Sequence, residues 1–239
     1  MEKTVFYAPF PDPAAEYARA VLQQAGCRFV SAPSPQVQCL LLPVPTPAEA
    51  ASTLPFLLEE LPGDVRIFGG KLPPLPGCRV FDLLTKPAYT AQNAYITACC
   101  ALRLILTHQP VLRDCPILII GWGQIGKCLS RLLQALEGKV TVAARRETDR
   151  ATAAALGYGV CSTEALSGQG YRVIVNTVPA MLLPHPPEDC LKLELASQPG
   201  LGGKDVLVGH RLPGRLAPRQ SGELIGRSVL SLCRKEGML

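Results

Sequence analysis

Histidine is scarce in this chain, and His108, His185 and His210 stand far apart without ligand spacing, so no metal site is expected. Cysteine is not scarce, but its ten residues include no CxxC pair and several lie in apolar runs, which excludes a redox dithiol motif and argues against a disulfide scaffold. Reduced thiols in a cytoplasmic protein are the expectation. The one adjacent pair, Cys99-Cys100, falls on an expected helix and reads as small core filling. Long apolar runs are missing too: the longest, Ala94 to Leu106, is broken by Arg103 and is too short to span a bilayer. The start, Met1-Glu2-Lys3-Thr4-Val5-Phe6, alternates like a strand and runs at once into prolines, unlike a signal peptide, so neither membrane nor export is expected. A basic stripe with interleaved aromatics is also lacking. The net charge of +5 is modest and its arginines are dispersed, which leaves nucleic-acid binding without support and suits a phosphorylated cofactor or an acidic small molecule.

What is present is enough for a sizeable core. With 239 residues, 48% hydrophobic and 18% charged, the chain can hold one large domain or two small ones. Its most informative stretch runs from Pro116 to Arg146. Ile117-Leu118-Ile119-Ile120 is a short apolar run suited to a strand buried on both faces, and Gly121-Trp122-Gly123-Gln124-Ile125-Gly126 follows it. Ile125, Leu129, Leu132, Leu133 and Leu136 then recur at helical spacing, Gly138 stops the helix, and Lys139 to Ala144 reads as a second strand. A GxGxxG run means little alone. Between a strand and a helix it predicts a dinucleotide loop: the first glycine makes the turn, the second admits a diphosphate to the backbone, and the third lets the helix pack on the sheet.

The second strand ends in Ala144, Arg145 and Arg146, where a site for the unphosphorylated cofactor usually carries Asp or Glu. A carboxylate would repel a 2′-phosphate, whereas a guanidinium binds it through paired hydrogen bonds, so NADP(H) is the expected cofactor. Glu147 and Asp149 stand close enough in sequence to neutralise these arginines in part.

Residues 1–87 read as a smaller α/β domain for substrate or partner. Strands are expected at Thr4–Ala8, Arg28–Ser31, Cys39–Leu42, Val65–Phe68 and Arg79–Phe81. A helix is expected from Pro13 to Ala25, and another follows a possible capping box at Thr46-Pro47-Ala48-Glu49. Residues 88–110 form a hinge helix, apolar on nearly every side as a buried connector would be. Residues 111–210 make the NADP-binding domain, and 211–239 a loop and a terminal helix that should dock through Leu224, Ile225, Val229, Leu232 and Cys233. The fold class expected is therefore α/β, with two Rossmann-like parallel-sheet domains joined by a buried hinge helix.

Ligands of open parallel sheets bind outside the carboxyl ends of the strands. That placement directs attention to Asn176-Thr177-Val178-Pro179, after the strand at Arg172–Val175, and to the end of a further strand, Leu193-Glu194-Leu195-Ala196-Ser197. Asn, Thr and Pro are also ordinary turn formers.

Taken in order, the glycine loop, the Val140–Arg145 strand, Asn176–Pro179, Leu195-Ala196-Ser197-Gln198-Pro199-Gly200, Leu212-Pro213-Gly214, Ala217-Pro218 and Ser221-Gly222 resemble the dipicolinate synthase A-subunit family of endospore-forming bacteria. The likeness runs from about residue 88 to the end, with a fainter echo in Leu41-Leu42-Pro43-Val44. The resemblance implies a two-domain NADP-binding protein that works with a second, flavoprotein-like B-type partner. Together they would oxidise a dihydrodipicolinate-type intermediate to dipicolinate during sporulation, so that the ring loses a hydride and a proton. The resemblance also assigns the phosphate loop and Arg145 to the cofactor and matches Thr90 to a threonine of the family's hinge helix. Two residues later the family's Glu-Gly is Gln92-Asn93 here, and an amide cannot serve as a general base. Glu194 replaces the family's Asp, and the chain is shorter in its first domain and between Gly200 and Val206.

For the substrate, a small dicarboxylate, Thr90, Gln92, Asn93, Arg211 and Arg215 are the candidate contacts, with the two arginines able to clamp carboxylates. His210 and Arg211 are the candidate catalytic groups, although solvated loop residues of the same types are common. The alternative function is a non-catalytic, NADP(H)-binding scaffold or regulatory protein. The shortage of histidine disfavours a 2-hydroxyacid dehydrogenase, and monomer and homodimer both stay open.

Overall fold

A computed structural model describes residues 3–239. The elements follow in the order β1 (Val5–Tyr7), α1 (Pro13–Gln24), β2 (Arg28–Val30), β3 (Cys39–Leu41), α2 (Ala48–Glu59), β4 (Arg66–Gly69), β5 (Arg79–Asp82) and α3 (Pro87–His108). They continue with β6 (Pro116–Ile120), α4 (Gln124–Ala135), β7 (Lys139–Ala143), α5 (Glu147–Ala155), β8 (Gly159–Cys161), β9 (Val173–Asn176), β10 (Leu191–Glu194), β11 (Val206–Val208), α6 (Leu212–Leu216) and α7 (Pro218–Lys235). The chain divides into two compact units, one of residues 3–93 with Pro213–Leu239 and one of Ala94–Leu212, so the boundary falls within α3 and the C-terminal segment belongs with the first unit.

In the first unit five parallel strands lie in the order β2-β1-β3-β4-β5. Leu40, Leu42, Leu54 and Ile67 are fully or almost fully buried in its core, and Phe68 stacks on Phe81 with ring centres 4.9 Å apart. Asp12 caps α1 by accepting from Ala14 N at 2.8 Å, and Pro13 fills the first turn, where a missing N–H costs nothing. Helix α7 packs on α1 so closely that a Cβ at Gly222 would lie 2.1 Å from Ala14 O, which accounts for the glycine. The capping box expected at Thr46 does not form. Pro47 caps α2 instead, while the Thr46 hydroxyl donates to Pro43 O at 2.9 Å and accepts from Gly70 N at 3.5 Å.

The second unit holds six parallel strands in the order β11-β10-β9-β6-β7-β8, the doubly wound Rossmann order. Ile117, Leu118, Ile119 and Ile120 are all fully buried, as a strand covered on both faces requires. Two-sided burial is why this run lacks alternation. The chain steps outward from β6 to β7 and β8, then returns to β9 on the other side of β6. The topological switch therefore falls between β6 and β9, whose registers pair Ile120 with Asn176.

Three local expectations change. The strand expected to continue through Ser197 ends at Glu194, because that side chain turns back onto the following backbone and pulls it out of the ladder. The stretch at Leu212-Pro213-Gly214 is helical, as α6, and not a loop. Within α3, Ala94, Ala98, Ala101 and Ile105 are buried, while Tyr95, Cys99 and Arg103 at four-residue spacing form an exposed stripe. Among the described residues no helix is long and apolar enough to cross a membrane, no cluster of His, Cys, Asp and Glu could hold a metal, and all ten cysteines are free thiols.

Candidate functional site

The site grows from the turn that leaves β6. Gly121 has φ +105°, a region open to glycine, and a Cβ there would stand 2.4 Å from Thr177 Oγ1 and 2.7 Å from Val178 Cγ2. A Cβ at Gly126 would press within 2.3 Å of Gly121 O, so the third glycine is what allows α4 to start directly against the strand end. Gly123 differs: nothing lies within 4 Å of the position its Cβ would take. It caps α4 without a side-chain hydrogen bond, which leaves the first-turn N–H groups of the helix open to an anion. The loop thus packs where glycine must pack and is bare where a diphosphate would rest, which is the fit a dinucleotide demands.

Trp122, between these glycines, is turned inward. It is 7% exposed, meets the Tyr158 ring edge-on with centres 5.5 Å apart, and has the Lys127 ammonium 5.8 Å from its own ring centre. Burial raises the Tyr158 pKa, with Arg131 opposing the shift, so the phenol stays neutral.

On the β7 side, Ala144 is buried and Arg145 and Arg146 are exposed. Arg146 is paired in bidentate fashion with Asp149, Nε to Oδ2 at 2.8 Å and Nη2 to Oδ1 at 3.1 Å. That hydrogen bond, aided by the charges of Arg146 and Lys127, holds the Asp149 carboxyl below its ordinary range. Arg150, which no sequence motif singled out, donates from Nη1 to Ala144 O at 2.8 Å and to Arg145 O at 2.7 Å.

Across the switch, Thr177 closes on β6 by donating to Ile120 O from its N–H at 2.9 Å and from its hydroxyl at 2.8 Å. Asn176 is fully buried and braces its own turn, giving Nδ2–H to Val178 O at 2.8 Å and taking Val178 N–H on Oδ1 at 3.1 Å. Glu194, 2% exposed at the end of β10, organises the rest. One carboxylate oxygen accepts from Asn176 Nδ2 at 2.8 Å and Ala196 N at 2.9 Å, the other from Gly200 N at 2.7 Å and Leu201 N at 3.2 Å. Four donors saturate the charge and tie the turns after β9 and β10 together. The sequence signal was there only as an acid preceding Leu-Ala-Ser.

His210 joins this cluster, with Nε2 3.0 Å from Ala196 O. Because a carbonyl only accepts, Nε2 must carry the proton, and in the neutral ring Nδ1 is then the acceptor. Arg211 follows with φ +56°. The other candidates belong to the first unit: Thr90 donates to Pro87 O at 3.1 Å, Gln92 Nε2 donates to Ala88 O at 3.4 Å, Asn93 lies one residue on, and Arg215 sits in α6. The second unit by itself therefore gathers Gly121–Gly126, Ala144–Arg146, Asn176–Pro179 and His210 at the carboxyl ends of its strands, and it does not contain Thr90, Gln92, Asn93 or Arg215. A cavity of about 420 Å³ lined by Cys99, Leu102, Arg103, Leu106 and Thr107 on α3 shares no residue with this cluster.

No family model matches the chain, and none of the curated proteins does. Solved structures do match. The dipicolinate synthase A subunit from Bacillus halodurans is 19% identical, with 96% of this chain and 97% of that chain covered and a TM-score of 0.83. The dipicolinate synthase A chain from Bacillus subtilis is likewise 19% identical, covering 98% of this chain and 97% of that one with a TM-score of 0.82. A Salmonella D-lactate dehydrogenase is 12% identical over 98% of this chain and 97% of its own, with a TM-score of 0.65. The chain is thus similar along nearly its whole length to the family its motifs resemble, and it shares with these structures a fold of two parallel-sheet α/β domains.

Proposed function

We propose that the chain is an NADP-dependent oxidoreductase of the kind represented by the dipicolinate synthase A subunit. In this reading it oxidises a dihydrodipicolinate-type dicarboxylate to dipicolinate together with a flavoprotein-like partner, in the cytoplasm of a sporulating cell. The observation that carries the reading is the bare Gly123 at the uncapped start of α4, opposite the Asn176–Thr177 turn at the sheet's switch point. When bound, the nicotinamide supplies a hydride acceptor. The protein supplies the rest. The α4 N-terminus receives the diphosphate and Arg145 the 2′-phosphate, while the turns braced by Glu194 border the nicotinamide end. Aromatisation also releases a proton, and His210 Nδ1, left as the acceptor by the Nε2 contact with Ala196 O, is suited to take it. Arg211, in the same unit as the glycine loop, is assigned to a substrate carboxylate.

Calorimetric titration with NADPH and NADH, followed by turnover of the intermediate with the flavoprotein-like partner, tests this. The reading requires NADPH to bind more tightly than NADH and turnover to appear. If neither dinucleotide binds at saturating concentration, the reading is defeated. One observation favours a second reading, an NADP(H)-binding scaffold or regulatory protein: the amide of Gln92, where the family carries a carboxylate, is spent on Ala88 O of its own helix. Tight NADPH binding without hydride transfer, with and without the partner, selects that alternative.

A further inference from the structure

We propose that Arg150 is the positioning residue that makes the end of β7 selective for a 2′-phosphorylated cofactor, with Arg145 as the ligand it sets and Arg146 held aside by Asp149. The assignment deepens the NADP(H) reading and rests on it. Three arginines stand within six residues, and their hydrogen bonds give each a different task. Arg146 has both edges of its fork on Asp149, at 2.8 and 3.1 Å, so it must give up that pair to reach any other anion. Arg145 is exposed and has no ion pair among the described residues. It has nothing to surrender.

Arg150 reaches back from the first turn of α5. Its Nη1 lies 2.8 Å from Ala144 O and 2.7 Å from Arg145 O, the two carbonyls just past the end of the strand. Both protons of that nitrogen are then used, and Nε and Nη2 take no part in the clasp. The consequences are two. The clasp fixes the backbone from which the Arg145 side chain projects, on a segment already tied to β8 by Ala144 N–H to Cys161 O at 3.1 Å. It also sets a guanidinium charge against two carbonyl dipoles whose negative ends would otherwise face an incoming phosphate without compensation. A strand end with bare carbonyls discourages an anion, and one covered by Arg150 accepts it.

The test uses the full chain and two fragments, 2′,5′-ADP and 5′-ADP, titrated by calorimetry so that no turnover is needed. In the unaltered chain the 2′-phosphate should tighten binding about tenfold or more, the worth of one charge-assisted contact. Arg150→Met should reduce that preference to about threefold or less while 5′-ADP binds within about twofold of the unaltered chain, and Arg150→Lys should recover part of the difference. Arg145→Met should abolish the preference, and Arg146→Met should leave it within about twofold. If Arg150→Met does not fold, Arg150→Lys and Arg150→Gln read the same ratio. A full preference retained without Arg150, or equal losses for both fragments, overturns the assignment and leaves the cofactor reading standing. An unaltered chain that binds neither fragment overturns both.

Discussion

Replacing Glu194 by Gln changes almost no volume and reverses half of a hydrogen-bond pattern, which makes it a clean probe of the turns around the switch point. The carboxylate accepts from Asn176 Nδ2 and Ala196 N on one oxygen and from Gly200 N and Leu201 N on the other. A glutamine must place its NH₂ against one of these pairs, in either flip, so two donors lose their acceptor and face a third donor. Each buried donor left unsatisfied costs about 1–3 kcal/mol, and the pairs are close enough to relax together, so the expected loss is about 3 kcal/mol. Against the roughly 5–15 kcal/mol that holds a domain of this size folded, that is a large fraction. The only tryptophan, Trp122, lies in the second unit and packs on Tyr158, so its fluorescence during urea unfolding follows the unit that contains the change. The midpoint should fall with an unchanged slope. A midpoint shift worth less than about 0.5 kcal/mol would refute the reasoning, because it would mean that the four contacts do not hold these turns.

Gly123→Ala should leave the melting temperature nearly unchanged, since its Cβ has open space, yet weaken NADPH binding by about tenfold or more; Gly126→Ala, 2.3 Å from Gly121 O, should lower both stability and binding. Calorimetry and thermal melts on the two variants separate the effects. Changing Arg145 and Arg146 to Asp should cost NADPH roughly 1.5–3 kcal/mol for each charge-assisted bond lost and spare NADH, and equal losses for both cofactors would contradict the expected selectivity. Alkaline pH should destabilise the chain. Burial pushes the Cys27 thiol up to about 11 and raises Cys100, Cys115 and Cys161 as well, so these groups stay protonated when folded but ionise near 8.5 when unfolded. Stability is then whole below pH 8.5 and falls as pH climbs toward the folded values, by up to about 1.4 kcal/mol per pH unit for each such thiol, which urea midpoints at pH 7 and pH 10 will measure.

The part of the site that could be read from sequence is local. The strand, glycine loop, helix and second strand occupy one contiguous stretch in which period, glycine spacing and the helix stop all agree, so Ile117–Ile120 and Gly121–Gly126 were legible as a unit. Arg150 was not, and Glu194 was marked only by its place in a strand-end run and not by what it binds, because each acts through main-chain groups that the sequence does not display. An arginine in the first turn of a helix and an acid at a strand end look like ordinary surface residues until the carbonyls of Ala144 and Arg145 and the amides of Gly200 and Leu201 are brought to them. The short edge strands at Gly159–Cys161 and Val206–Val208 escaped for a related reason: three residues carry too little pattern, and their pairing partners define them.

Composition and periodicity alone therefore established a parallel α/β chain with a glycine loop between strand and helix, because burial on both faces of a strand and the close approaches of a glycine turn leave marks at neighbouring positions. They could not establish the order β11-β10-β9-β6-β7-β8, the return of α7 onto α1, or the separate hydrogen-bond partners of Arg146 and Arg150. Those depend on contacts between segments far apart in the chain, or on which lone pair a side chain meets, and such contacts acquire their energy only after the backbone has closed around them.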